Sequence, residues 1–118
     1  MRKLFALTAL ASALGGAGGT STAEASNQYA QVQQAVCHYF RGSLCSTAMQ
    51  IVNCETGGTY DPRSSNGQYL GIFQMGSNER ATFGHGNDVW TQARAAYRYY
   101  LKAGFGPWLN YEPTGCGR

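Results

Sequence analysis

Charge is scarce in this chain, and so are several of the patterns that would place it in a common functional class. Only 13% of its 118 residues are charged, and the basic ones form no lysine and arginine cluster, which argues against a nucleic-acid partner. The two histidines, His38 and His85, stand apart, without the neighbouring Ser, Cys or Asp pattern from which a hydrolase triad is built. No histidine pair and no Cys-x-x-Cys accompanies the four cysteines, so neither a metal site nor any other cofactor is expected. The apolar run from Leu4 to Leu14 is eleven residues long, whereas a bilayer span needs roughly twenty, so no stable membrane anchor is expected. Internal repeats, long linkers and low-complexity tracts are also missing, which leaves one small domain.

What is present begins with the three parts of a secretory signal: Arg2 and Lys3, the apolar run, and small residues ending in Ala23-Glu24-Ala25. Cleavage after Ala25 is expected. Residues 1–25 are then a signal peptide and 26–118 the mature domain, secreted or held at the cell wall. The formal charge of +3 would fall by one on cleavage, too little to identify a partner. A domain this small hides only about 60 to 65% of its unfolded surface on folding, so covalent help is expected.

The four cysteines, Cys37, Cys45, Cys54 and Cys116, supply that help as two disulfides in an exported chain. Cys45 with Cys54 is disfavoured, because a helix between them would hold the ends about 13 Å apart. Geometry leaves the other two pairings open. A turn near Gly42 favours Cys37 with Cys45, and the remaining bridge, Cys54 with Cys116, would close a loop of about sixty residues, worth roughly 4 kcal/mol on the chain-entropy model.

Hydrophobic spacing predicts a mostly helical α+β domain. Val32, Ala35, Val36, Tyr39 and Phe40 mark a first helix ending near Arg41-Gly42. Ser46 is the expected N-cap of a second, which carries Ala48, Met49 and Val52 and stops at Gly57-Gly58. The stretch from Thr59 to Gln74 reads as an extended loop or a short hairpin. A short helix is expected over Ser77 to Phe83, closed by Gly84. Asp88 then caps the clearest helix, whose stripe of Val89, Ala93, Ala96, Tyr97, Tyr100 and Leu101 ends at Gly104.

Chemistry concentrates at Glu55. It falls on the last turn of the second helix, where the negative end of the dipole favours the protonated form that a general acid needs. It belongs to Cys54-Glu55-Thr56-Gly57-Gly58, and Gly71-Ile72-Phe73-Gln74 follows, with Gln74 nineteen residues beyond the glutamate. The mature chain holds just four other carboxylates, Asp61, Glu79, Asp88 and Glu112. Asp88 reads as a cap and Glu112 lies near the end, so Asp61 and Glu79 are the candidates for a second acidic group. Asp61 before Pro62 also fits a turn former, and Glu79 a helix-start residue.

These two motifs resemble the Cys-Glu-Ser-Gly-Gly and Gly-Leu-Gln signatures of resuscitation-promoting factors, and the Glu-Ser-Gly and Gly-Leu-Met-Gln signatures of soluble lytic transglycosylases. Both families share a lysozyme-like fold. The resemblance runs from about Ser46 to Cys116 and takes in Gly104-Phe105-Gly106-Pro107-Trp108 and the terminal cysteine. Thr56 replaces the usual serine, the spacing from glutamate to glutamine is about one residue longer, and Glu79 lies near where the first family carries Ser-Thr-Trp.

The resemblance implies cleavage of peptidoglycan glycan strands at the β-1,4 bond between N-acetylmuramic acid and N-acetylglucosamine. Glu55 would be the catalytic acid, and Cys54 would be tied to Cys116. Ordinary glycosidases need two carboxylates. A lytic transglycosylase manages with one, because the muramyl C6 hydroxyl attacks its own anomeric carbon, and that reaction suits this short supply. Gln74, Tyr69, Ser65, Tyr97 and Tyr100 are the candidate sugar contacts. Tyr97 or Tyr100 would be the substrate-facing tyrosine of the transglycosylase helix. Gln74 could equally be an amide tying the loop to the helix, and Trp108 either core or cleft. The alternatives are a hydrolytic N-acetylmuramidase and a non-catalytic wall-glycan-binding module; in each the protein is expected to be a monomer.

Overall fold

The computed structural model describes residues 22–109. Five helices and one two-stranded sheet follow in the order α1 (Thr22–Tyr39), α2 (Ser43–Glu55), β1 (Tyr69–Leu70), β2 (Met75–Gly76), α3 (Ser77–Phe83), α4 (Val89–Ala103) and α5 (Gly106–Leu109). The domain is therefore mostly helical with a minimal antiparallel hairpin, in which Tyr69 pairs with Gly76 and Leu70 with Met75. None of the helices among the described residues is long and apolar enough to cross a membrane.

Helix α1 buries Val32, Ala35 and Val36 of the stripe its spacing predicts, Tyr39 is half-buried, and Phe40, the residue after the helix, is fully buried. It packs mainly on α4 and on α2, and alanines 93, 95 and 96 of α4 are fully buried, which lets the helices approach closely. Phe40 lies at the centre. Its ring is 5.2 to 5.8 Å from those of Phe73, Tyr97, Tyr100 and Phe105, and truncating such a ring to alanine costs about 3 to 5 kcal/mol.

The turn between α1 and α2 is tighter than expected. Gly42, at φ 59°, is the residue before α2 and offers no side-chain cap. Helix α2 thus begins at Ser43, three residues ahead of the expected cap Ser46, which is an exposed position inside the helix. A disulfide joins Cys37 to Cys45 across this turn, with Cα atoms 4.9 Å apart. Cys54 is also disulfide-bonded; its expected partner Cys116 lies outside the described residues, as do Glu112 and the expected signal up to residue 21. Helix α1 runs through the expected cleavage point after Ala25.

Helices α3 and α4 have the expected bounds. Gly84 ends α3 in the left-handed conformation, and the Asp88 carboxylate accepts from the backbone N–H groups of Trp90 and Thr91 as the N-cap of α4. Leu101 departs from its expected place in the core stripe, with 64% of its surface exposed. It falls on the last turn of α4. Helix α5 was not foreseen from the spacing. It buries Trp108, whose indole N–H donates to the Phe73 carbonyl at 2.9 Å, so this tryptophan is a strut between the chain end and the central loop.

Candidate active site

Glu55 is the last residue of α2, and the chain beyond it is held by a relay of short-range bonds. The buried Thr56 hydroxyl donates to the Val52 carbonyl at 2.8 Å and accepts from the Tyr60 N–H at 3.0 Å. Thr59 donates its hydroxyl to the Thr56 carbonyl and accepts from the Asp61 N–H. Gly57 and Gly58, at φ 63° and 85°, turn the chain away from the helix, which few other residues do without strain. The glutamate is fixed from both sides as a result.

The carboxyl faces two adjoining depressions. One, of about 220 Å³, is lined by Glu55, Tyr69, Gln74, Glu79, Tyr99 and Trp108 among others. The second, of about 530 Å³, includes Glu55, Asp61, Arg63, Ser65 and Gln74. Glu55, Asn66 and Gln74 line both, so the three stand where the depressions meet. Burial pushes the Glu55 pKa up to about 7, and no charged or hydrogen-bonding group contributes to the shift. Removal of the carboxylate from water raises the pKa, and the negative end of α2 acts in the same direction.

The other carboxylates differ in setting. Asp61 accepts from the Arg63 backbone N–H at 2.8 Å and forms a two-pronged pair with its guanidinium, both contacts at 3.0 Å. The hydrogen bond from Arg63 holds its pKa below the ordinary aspartate value. It is the turn former that its place before Pro62 implies. Glu79 is in the first turn of α3 and also in the smaller cavity. Gly76 makes room for it, since a Cβ there would sit 2.8 Å from Glu79 Oε1 and 3.5 Å from the Tyr69 ring.

The expected sugar contacts divide. Tyr69, Ser65 and Gln74 reach the depressions beside Glu55. Gln74, at φ 47°, donates through Nε2 to the Ser64 and Gly71 carbonyls, both at 2.9 Å. Its amide nitrogen therefore braces the loop on itself rather than on a helix. Tyr97 and Tyr100 do not reach the site: they pack on Phe40, with each other and, for Tyr100, on Phe105. Tyr99 lines the cavity instead; burial and the nearby Glu79 charge raise its pKa.

Two more site residues were missed. Asn66 lines both depressions while its Oδ1 accepts from the Gln68 and Tyr69 N–H groups. Gln92, fully buried, anchors the loop from α4. A sequence signal for Tyr99 and Gln92 exists, because positions 92, 95, 96 and 99 form a second helical stripe beside the core stripe.

No group of three or more His, Cys, Asp or Glu side chains placed to hold a metal occurs among the described residues. His38 packs edge-on to Tyr39 and Trp90, and the half-buried His85 lies beneath Gly71, both apart from the Glu55 depressions. No protein-family model, curated protein or solved structure matches the chain.

Proposed function

We propose that this protein is a peptidoglycan-cleaving enzyme acting outside the cell, a lytic transglycosylase of lysozyme-like type with Glu55 as its one acid and base. A single observation carries the reading. The Glu55 carboxyl is half-buried at the junction of two depressions, with its pKa near 7 and with tyrosine and amide side chains around it.

A carboxyl with that pKa is about half protonated at neutral pH, where an ordinary glutamate is almost wholly ionised, and it can give its proton up at modest cost, as general acid catalysis requires. Glu55 protonates the glycosidic oxygen as the C1–O bond breaks. The resulting carboxylate takes the proton of the muramyl C6 hydroxyl as that oxygen bonds to C1. The products are a 1,6-anhydro sugar and a free hydroxyl on the next residue, and no water is consumed.

One observation favours a second reading. Glu79 lines the same cavity as Glu55, which supplies a candidate for the second carboxyl that a hydrolytic muramidase needs. Mass spectrometry of digested peptidoglycan separates the two. Anhydro-muropeptides are the expected products; reducing ends would establish the hydrolase, and an absence of products would leave a glycan-binding module.

A further inference from the structure

The depression beside Glu55 does not stop at Asp61. Thr59 and Asp61 also line a shallow trough shared with Tyr29 and Tyr60. Those two tyrosines in turn border a pocket of about 480 Å³ between α1 and α2. Its polar walls are the amides of Gln33, Gln50 and Asn53 and the hydroxyl of Ser46, and none of the described lining residues is charged.

Two features single out this corner. Tyr60 has φ 56°, a conformation that a bulky L residue rarely adopts without being held there. The Thr56 hydroxyl holds its N–H, and the Gln28 side chain bonds the Thr59 carbonyl, tying α1 to the same loop. The strained backbone sets the Tyr60 ring at 88° to that of Tyr29, with centroids 4.9 Å apart. Tyr29 also accepts a hydrogen bond from Gln33 and leaves 40% of its surface open.

We propose that this pocket is a second, non-catalytic saccharide site that holds an N-acetylhexosamine residue of the same glycan strand, remote from the bond being cut. Aromatic faces suit the apolar C–H surfaces of a pyranose, and neutral amides suit its hydroxyl and N-acetyl groups. Without Lys, Arg, Asp or Glu among the described lining residues, these walls have no means of selecting an anion or a cation. Its helical walls offer no strand edge for a peptide. The Cys37–Cys45 bridge, at the pocket's rim through Cys45, keeps α1 and α2 in fixed relation. The inference rests on the proposed function for the identity of the strand and on its own geometry for the site.

The test is a titration of the Glu55→Gln protein with the β-1,4-linked hexasaccharide of N-acetylglucosamine, followed by NMR of side-chain amides. Gln50 and Asn53 are expected to shift together with Asn66 and Gln74. Tyr29→Ala is the variant of choice, because Tyr29 is half exposed while Tyr60 packs on the core. It should abolish the Gln50 and Asn53 shifts and weaken hexasaccharide binding roughly tenfold, while the disaccharide binds as before. Shifts confined to Asn66 and Gln74, with unchanged affinity in Tyr29→Ala, would overturn the second site and leave the Glu55 groove standing. Shifts confined to Gln50 and Asn53 would support the second site and count against the groove. No shift at Gln50 and Asn53, or shifts there with a free stem tetrapeptide instead of the sugar, would overturn the inference.

Discussion

Gln92 Oε1 accepts a hydrogen bond from the Ile72 backbone N–H at 2.9 Å, joining the first turn of α4 to the loop that carries Gln74. The same side chain donates through Nε2 to the Pro62 and Gly86 carbonyls at 3.0 and 3.1 Å. One buried amide thus satisfies three backbone groups from three stretches of chain. Gly71 fits closely against it: a Cβ there would meet Gln92 Oε1 and His85 Nε2 at 2.7 Å.

Gln92→Leu keeps the approximate volume and removes all three bonds. The Ile72 bond is buried and the Pro62 and Gly86 bonds are half-buried; a buried group left unpaired costs about 1 to 3 kcal/mol and a half-exposed one less, so the variant should lose about 3 kcal/mol in all. For a domain of this size that lowers Tm by more than about 10 °C. Thermal unfolding followed by circular dichroism checks it, and a Tm within two or three degrees of wild type would show that the amide is replaceable.

Sequence periodicity reveals α1 and α4 because their buried stripes recur at helical spacing, and α3, which has no buried stripe, is legible through the glycine that ends it. Glu55 is legible through its flanking glycines and its distance to Gln74. Tyr99 and Gln92 are harder to see because α4 is buried on two faces, and the stripe richest in aromatics is the one that fills the core. The start of α2 is misread since Gly42 and the disulfide shape that turn, and neither acts through a side-chain cap at Ser46. Two-residue strands are too short for alternation to show.

Tyr99 and Tyr97, two positions apart, should respond differently. Tyr99→Phe removes a hydroxyl beside the smaller cavity and should reduce cleavage while leaving Tm nearly unchanged. Tyr97→Ala takes a ring from the cluster around Phe40 and should cost about 3 kcal/mol or more in stability, with specific activity of the folded fraction preserved. Reversal of these two patterns would return the substrate-facing role to Tyr97.

The pH profile follows from burial of Glu55. With the folded pKa raised from 4.5 to about 7, the acid is protonated below neutrality, so cleavage should level off at mildly acidic pH and fall tenfold per unit well above 7. A one-carboxylate reaction shows no further fall at low pH until the protein unfolds. A hydrolase using Asp61 would add a fall below the ordinary aspartate range, since Arg63 holds that pKa down. Activity that stays level through pH 9 would remove Glu55 as the acid.

Glu55→Gln tests the assignment most directly, and it has a stability signature that activity assays do not share. The amide keeps the side-chain shape but has no proton to give, so cleavage should fall a hundredfold or more. In the wild type the folded state binds a proton more tightly than the unfolded chain, so stability is lost as pH rises from about 4.5 to about 7 and the carboxyl ionises in a partly dry site. Glutamine never ionises. The variant should therefore match wild type at pH 4 and melt at a higher temperature at pH 8, the pattern of a site residue kept for chemistry at some cost in stability. Asp61→Asn and Glu79→Gln serve as comparisons. If the attacking hydroxyl belongs to the substrate, each should cost far less activity than Glu55→Gln; a loss as large from Glu79→Gln would make the two-carboxylate hydrolase the better reading. An active Glu55→Gln variant with wild-type melting at both pH values would refute the catalytic assignment and the burial argument together.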